Sequence, residues 1–242
     1  MAINMGHGYY GVRPQTHSSQ PLERTDTLAI TKKPGFLFDC VDLCIKEGHT
    51  YCLLGANASG KTTLLRLLAK REEPLEGTVQ HAQNAQIGYF GQETMDEILD
   101  EACTNASKIT TALFYLADRF PGKTEQELRG ELTNFGISPE QSTTDVRFLS
   151  GGERCRLCLA ALMLADPDVL CLDNPTTNLD VESVEALIYG LKRWEGGTIV
   201  MISHDASVVR ELQAECAVLV EEEGKLRRVQ GSIDDYLRSF QY

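Results

Sequence analysis

The sequence predicts an α/β fold built on a parallel sheet, and three observations carry that prediction. From about Leu28 onward, short apolar runs alternate with helical stretches, which is the pattern of βαβ units. Runs such as YCLL (51–54) and VLCL (169–172) are apolar at every residue rather than at alternate ones, as strands buried on both faces are. Between the first of these runs and a helix lies Gly-x-x-x-x-Gly-Lys-Thr, the residue order of a phosphate-binding loop.

Taken in order, residues 1 to about 27 are polar, with Gly, Pro, Ser and Thr and little periodicity, and read as a flexible arm. YCLL (51–54) reads as a buried strand, TTLLRLLAK (62–70) as a helix and AQIGYF (85–90) as a second strand. A mostly helical stretch runs from about Met95 to Thr133, and the insert between Gln92 and Ser150 reads as a second lobe. Then come a helix over 151–165, the strand DVLCL (168–172), a helix over 181–194 and the strand TIVMIS (198–203). With 242 residues the chain can build one large domain or two small lobes with a proper core.

Composition narrows the function. A formal net charge of −12 opposes general affinity for nucleic acid or anionic membrane, because phosphate backbones attract basic faces. No apolar run approaches the ~18 to 20 residues of a bilayer span, and the first 15 residues lack the apolar core of a secretory signal. If the domain powers a transporter, the membrane part lies on another chain. The 8 cysteines sit mostly inside apolar segments, the habit of reduced, buried thiols in the cytoplasm.

The phosphate loop is GANASGKTT, comprising Gly55, Ala56, Asn57, Ala58, Ser59, Gly60, Lys61, Thr62 and Thr63. Glycines let the backbone wrap phosphate oxygens with its N–H groups inward, and the following helix adds its positive end. Lys61 reaches the β/γ-phosphates and the Thr62 hydroxyl joins Mg²⁺. Further on, Ser150 of LSGGERCRL caps a helix whose end is either a plain N-cap or a second phosphate site. Asp173 ends an apolar strand, where an NTPase carries its Mg²⁺-directed carboxylate. TIVMISHD repeats that design and ends at His204. Cys155-x-x-Cys158 lacks the second pair that a structural zinc uses, and its spacing puts both thiols on one helix face, which favours core packing.

In this order the residues resemble an ABC ATPase: 55–63 its Walker A, Gln92 its Q-loop, Ser150, Gly151, Gly152 and Glu153 its signature, Asp173 its Walker B, Leu179–Asp180 its D-loop and His204 its switch histidine. IGYFGQ (87–92), RFPGKTEQELRGELTNFGIS (119–138), SHDASVV (203–209) and EGKLRRVQGSIDDY (223–236) are similar to the second cassette of eukaryotic ABC-F proteins. The resemblance implies a P-loop NTPase of cassette type over 28–242, with a parallel-sheet core, an antiparallel β portion and a helical subdomain at about 93–150. It implies ATP bound by residues 55–63, Mg²⁺ held by Thr62, Gln92 and Asp173, and a second cassette, self or another protein, closing its signature on the γ-phosphate. The family's ribosome contact is tied largely to a charged linker that this sequence does not contain, so the resemblance reaches the ribosome only weakly.

Four positions depart from the family. Asn174 stands where a glutamate polarises the attacking water, and an amide cannot accept a proton. Thr31 replaces the aromatic under adenine, with Phe36 nearby, and Thr177-Asn178 replaces Asn-His. The catalytic positions are thus Asn174, His204 and Gln92. The expected function is a slow Mg-dependent ATPase of ABC-F type in translation or its regulation, cytoplasmic. The alternatives are an ATP-binding and dimerisation module without catalysis, and the ATPase subunit of a membrane transporter.

Overall fold

Fully apolar runs flanked by turn residues become strands, and leucine-rich stretches beside them become helices. In chain order the elements are β1 Val12–Arg13, β2 Thr50–Leu54, α1 Lys61–Leu68, β3 Thr78–Val79, β4 Ile87–Phe90, α2 Gln92–Thr104, α3 Ala112–Arg119 and α4 Glu125–Asn134. There follow α5 Pro139–Ser142, a 3-10 turn Val146–Phe148, α6 Gly151–Leu164 and β5 Val169–Asp173. The order closes with α7 Val181–Arg193, β6 Thr198–Ile202, α8 Ala206–Glu211, β7 Glu215–Val220 and β8 Lys225–Arg228. This computed structural model describes residues 12–13, 41, 43–74, 78–104, 110–194, 197–220, 225–229, 233, 234 and 236. They fall into two compact units, one drawn from 1–85 and 198–242, the other from 86–197.

In the first unit β2 lies between two parallel neighbours, β6 and β7, with Cys52 in register with both Met201 and Cys216. β8 runs antiparallel to β7. β2 and β6 are buried nearly throughout, which is why their sequences are unbroken apolar runs. Leu64, Leu65, Leu67 and Leu68 of α1 are buried, and α1 packs on β6. Each such leucine contributes about 1.5–3 kcal/mol of burial. The antiparallel portion that the resemblance implies is found in β7–β8 and in β1–β3. β1 falls within the stretch read as an arm.

In the second unit β4 pairs in parallel with β5 from Ile87↔Val169 to Phe90↔Leu172. A Cβ at Gly88 would stand 2.5 Å from Leu162 Cδ1, so the absence of a side chain there seats α6 against β4. The helical stretch read over Met95–Thr133 resolves into α2, α3 and α4. Their starts are written in hydroxyl side chains. Thr111 accepts from Phe114 N at 3.1 Å, and Thr124 and Glu127 form a reciprocal capping box. Ser138 and Gln141 do the same at α5, with Pro139 in the first helical position. Leu128 and Leu132 of α4 and Leu157 and Ala160 of α6 are buried where these helices meet.

The turn leading into α6 hangs on Asp145. Its carboxylate accepts from Arg147 Nε at 2.9 Å, Arg147 Nη2 at 2.7 Å and Arg147 N at 3.0 Å. The Arg147 guanidinium, chiefly through these hydrogen bonds, holds the carboxyl down to about 2. The folded value lies below the unfolded one, so the stabilisation is present above about pH 4 and is lost as pH falls toward about 2. Asp145→Asn is therefore expected to lower stability by about 1–2 kcal/mol at neutral pH. In urea denaturation the gap between wild type and variant should close as pH drops to about 2. A gap independent of pH would mean that the hydrogen-bond pattern, not the charge, is what matters.

Candidate nucleotide site

The phosphate loop leaves β2 at Gly55 and enters α1 at Gly60. Gly60 is the N-cap and sits at φ 97°, a left-handed conformation that glycine adopts freely. Lacking a side chain, it leaves the first N–H groups of α1 without a side-chain cap. Ala58 is also left-handed, at φ 63°. Ser59 is buried, and its Oγ has no hydrogen-bond partner among the described residues. Lys61 is only 7% exposed, and its Nζ donates to Gly55 O at 2.9 Å and Ala56 O at 2.7 Å. An uncapped helix end, an orphaned buried hydroxyl and a buried ammonium together form a cradle for phosphate oxygens. The residues present fit the phosphates of a nucleoside triphosphate. Thr62 and Thr63 follow on the first turn of α1, half-buried.

Gly55, Ala56, Asn57 and Lys61 share a cavity of about 310 Å³ with Ser203 and His204 at the end of β6, and with Ile233 and Tyr236. The structure thus brings the loop and the histidine together. His204 is exposed, while Ser203 beneath it is buried and accepts from Asp205 N at 3.1 Å. Sequence reasoning missed Tyr236. Its hydroxyl accepts the Gly55 N–H, and burial raises its pKa. An ion pair between Arg210 of α8 and Asp234 helps to hold that segment. Nothing local marks Tyr236, which lies over 170 residues from the loop in sequence.

The remaining predicted residues belong to the second unit. Gln92 is exposed and opens α2. Asp173 closes β5 and is half-buried, as is Asn174. Asn174 is left-handed at φ 48°, a conformation asparagine tolerates well. Its Nδ2 donates to Asp173 Oδ1 at 2.9 Å. The amide is therefore engaged with the strand-end carboxylate. Thr31 and Phe36, weighed for adenine stacking, lie outside the described residues.

Ser150 caps α6 in a reciprocal box: its hydroxyl accepts from Glu153 N at 3.3 Å, and its N–H donates to Glu153 Oε2 at 2.7 Å. That backbone bond holds the Glu153 carboxyl below its usual range. Gln141 Nε2 adds a bond to Glu153 at 2.6 Å. Gly152 has a steric reason to be glycine, because a Cβ there would meet Asn178 O at 2.9 Å, whereas a Cβ on Gly151 meets nothing within 4 Å. The neighbouring pair gives an internal control. Gly152→Ala is expected to lower stability by about 1–2 kcal/mol through the clash, and Gly151→Ala to raise it by up to about 1 kcal/mol through helix propensity. Thermal denaturation of both reads the contrast; equal melting points would show that the Asn178 turn yields freely. Asp180 caps α7 by accepting Ser183 N at 2.8 Å. Two large apolar side chains flank these features in the open, Phe148 at 79% and Val181 at 76% exposure.

Cys155 and Cys158 are buried in α6, their thiols directed to Pro175 O and Thr94 O. Burial pushes the Cys155 thiol up to about 12, which makes it an inert core group. No helix among the described residues is long and apolar enough to cross a membrane.

Comparison with known proteins agrees with this arrangement. The ABC transporter family matches residues 38–177. Protein GCN20 of Saccharomyces cerevisiae is 37% identical over 196 residues, 81% of this chain and 25% of that protein. ATP-binding cassette sub-family F member 3 of Rattus norvegicus is 37% identical over 186 residues, 76% of this chain and 24% of that one. The chain thus spans about a quarter of the length of the curated relatives it matches. Among solved structures, the dimeric bacterial ABC transporter cassette MJ0796 superposes with a TM-score of 0.62 at 22% identity, covering 81% of this chain and 91% of that one. At that identity the likeness is one of fold. With the loop, the strand-end aspartate and the capped glycine pair in family order, the chain belongs to the ABC transporter family, as a cassette of ABC-F type.

Proposed function

We propose that the chain binds Mg-ATP and hydrolyses it slowly, in the cytoplasm, as one cassette of a two-cassette unit. The observation that carries this reading is the loop itself: a buried Lys61 ammonium, an orphaned Ser59 hydroxyl and an uncapped α1 end follow one another in it, and Lys61 shares a cavity with His204. In this reading residues 55–63 hold the phosphates, and Thr62, Gln92 and Asp173 hold Mg²⁺, which screens phosphate charge. His204 addresses the γ-phosphate. Ser150, Gly151, Gly152 and Glu153 serve the ATP of the opposing cassette, which is a second copy or another protein. The domain runs over 28–242, with 93–150 as its helical part. Action in translation or its regulation rests on the resemblance to ABC-F proteins.

A second reading, a binding module without turnover, is favoured by Asn174, whose amide is tied to Asp173 and cannot act as a base. Equilibrium binding of ATP with Mg²⁺, together with phosphate release and light scattering, tests both. Tight binding with slow release and ATP-dependent dimers supports the first reading. Binding without release selects the second, and no binding at all rejects both. Cosedimentation with ribosomal particles, with and without ATP, tests the link to translation.

A further inference from the structure

Two thiols meet behind the phosphate loop. β2 and β7 run parallel, and their register sets Cys52 beside Cys216. Residues in register on neighbouring parallel strands present their side chains on the same face, and strands lie about 4.7–4.9 Å apart. That spacing falls inside the roughly 4.4–6.8 Å Cα separation that a disulfide bridges, toward its short end. The sulfurs already interact: the Cys52 thiol donates to Cys216, and Cys216 donates in turn to Ala214 O at 3.6 Å. The shared bond holds the proton on Cys52 and makes Cys216 the easier of the two to ionise. Cys216 is half-buried, whereas Cys52 is fully buried. Cys216 is thus the sulfur that a small oxidant reaches and finds reactive.

The pair is also wired to the loop. Cys52 lies three residues before Gly55, and its sulfur accepts the Ser203 N–H, next to His204. Tyr236, whose hydroxyl takes the Gly55 N–H, lines the same cavity as Gly55. We propose that Cys52 and Cys216 form a reversible redox pair whose disulfide weakens nucleotide binding at the adjoining loop. With hydrogen peroxide as oxidant, the Cys216 thiolate attacks one peroxide oxygen. An S–O bond forms, the O–O bond breaks and hydroxide leaves, becoming water on taking a proton. The Cys52 sulfur then attacks the Cys216 sulfur. The S–S bond forms, the S–O bond breaks and a second water leaves with the Cys52 proton. Two thiols are oxidised and one peroxide is reduced to two waters. A dithiol reductant reverses the bond by exchange, and a disulfide near the short limit of spacing is the reducible kind. Closing it turns both side chains toward each other, which draws the Cys52 sulfur from the Ser203 N–H and shifts the strand that feeds Gly55. The effect on nucleotide rests on the proposed function; the disulfide itself does not.

The test treats the reduced full chain with equimolar peroxide, maps its peptides without reductant, counts thiols and measures affinity for a fluorescent ATP analogue. A Cys52–Cys216 linked peptide with two thiols lost is expected. The dissociation constant should rise by about fivefold, the low end of common couplings between sites, and recover with dithiothreitol. C216S should give no such link and keep its affinity in peroxide. Cys216 over-oxidised without a link, or other cysteines joined instead, would overturn the pair. The expected link with unchanged affinity would overturn its effect on the loop. A reduced chain that binds no nucleotide strikes the proposed function, while the peptide map still decides the redox pair.

Discussion

Lys61→Ala is expected to weaken ATP binding by about 30-fold to more than 10³-fold, the range for truncating a buried, hydrogen-bonded charge that faces an opposite one. Lys61 is buried, and its ammonium already lies against the loop carbonyls of Gly55 and Ala56. Its desolvation is therefore met on folding, and a phosphate arriving there gains the full attraction of a charge held in place. The same burial predicts that the fold does not suffer. Removing a partly compensated ammonium from the interior leaves the melting temperature level or higher. Lys61→Arg is expected to fail as well, since the planar fork is wider than the ammonium and does not fit between two adjacent carbonyls. Fluorescence titration with an ATP analogue reads the loss, and circular dichroism confirms the fold. An alanine variant with unchanged affinity would dismiss this loop as the phosphate site.

Asn174→Glu is expected to raise turnover by about 10²-fold, the lower part of the range that a positioned general base contributes. Three features of the site set that figure. The introduced carboxylate would stand beside Asp173, and like charge raises its pKa toward neutrality, which suits a base. Against this, the left-handed backbone at Asn174 disfavours glutamate by about 1–2 kcal/mol. The bond from Asn174 Nδ2 to Asp173 Oδ1 is lost too, which frees the aspartate for the metal of the proposed function. Asn174→Gln keeps the amide and should leave the rate where it is. Steady-state phosphate release compares the three proteins. A glutamate variant no faster than wild type would select the binding-module reading.

Much of this was legible beforehand, for a physical reason. β2, β5 and β6 are buried on both faces, so their sequences show unbroken apolar runs and their limits fall within a residue or so of expectation. The phosphate loop is contiguous, and its chemistry is local. The helical lobe was legible as helical but not as separate helices, although Thr124-x-x-Glu127 and Ser138-Pro-x-Gln141 announce two of its starts. α8 escaped notice because six residues are too few to show a period. β7 and β8 were anticipated only through the resemblance. Contacts between distant residues left no trace: the Gly55–Tyr236 bond, the Cys52–Cys216 pair and the carbonyl that forbids a Cβ on Gly152 all depend on how segments pack.

The capped end of α6 carries one more consequence. A helix offers four N–H donors at its start, here those of Ser150, Gly151, Gly152 and Glu153. The reciprocal box spends the first and the last on Glu153 and Ser150. The two that remain are on the glycines, and an ionised carboxylate stays beside them. A free anion is therefore met by two donors and repelled by one negative charge, a poor trap. A phosphate that arrives already neutralised by a lysine and a metal ion meets the same two donors without that repulsion. In the proposed two-cassette unit the glycine pair would thus discriminate by charge before it discriminates by shape, passing over loose phosphate in favour of one delivered with its counterions.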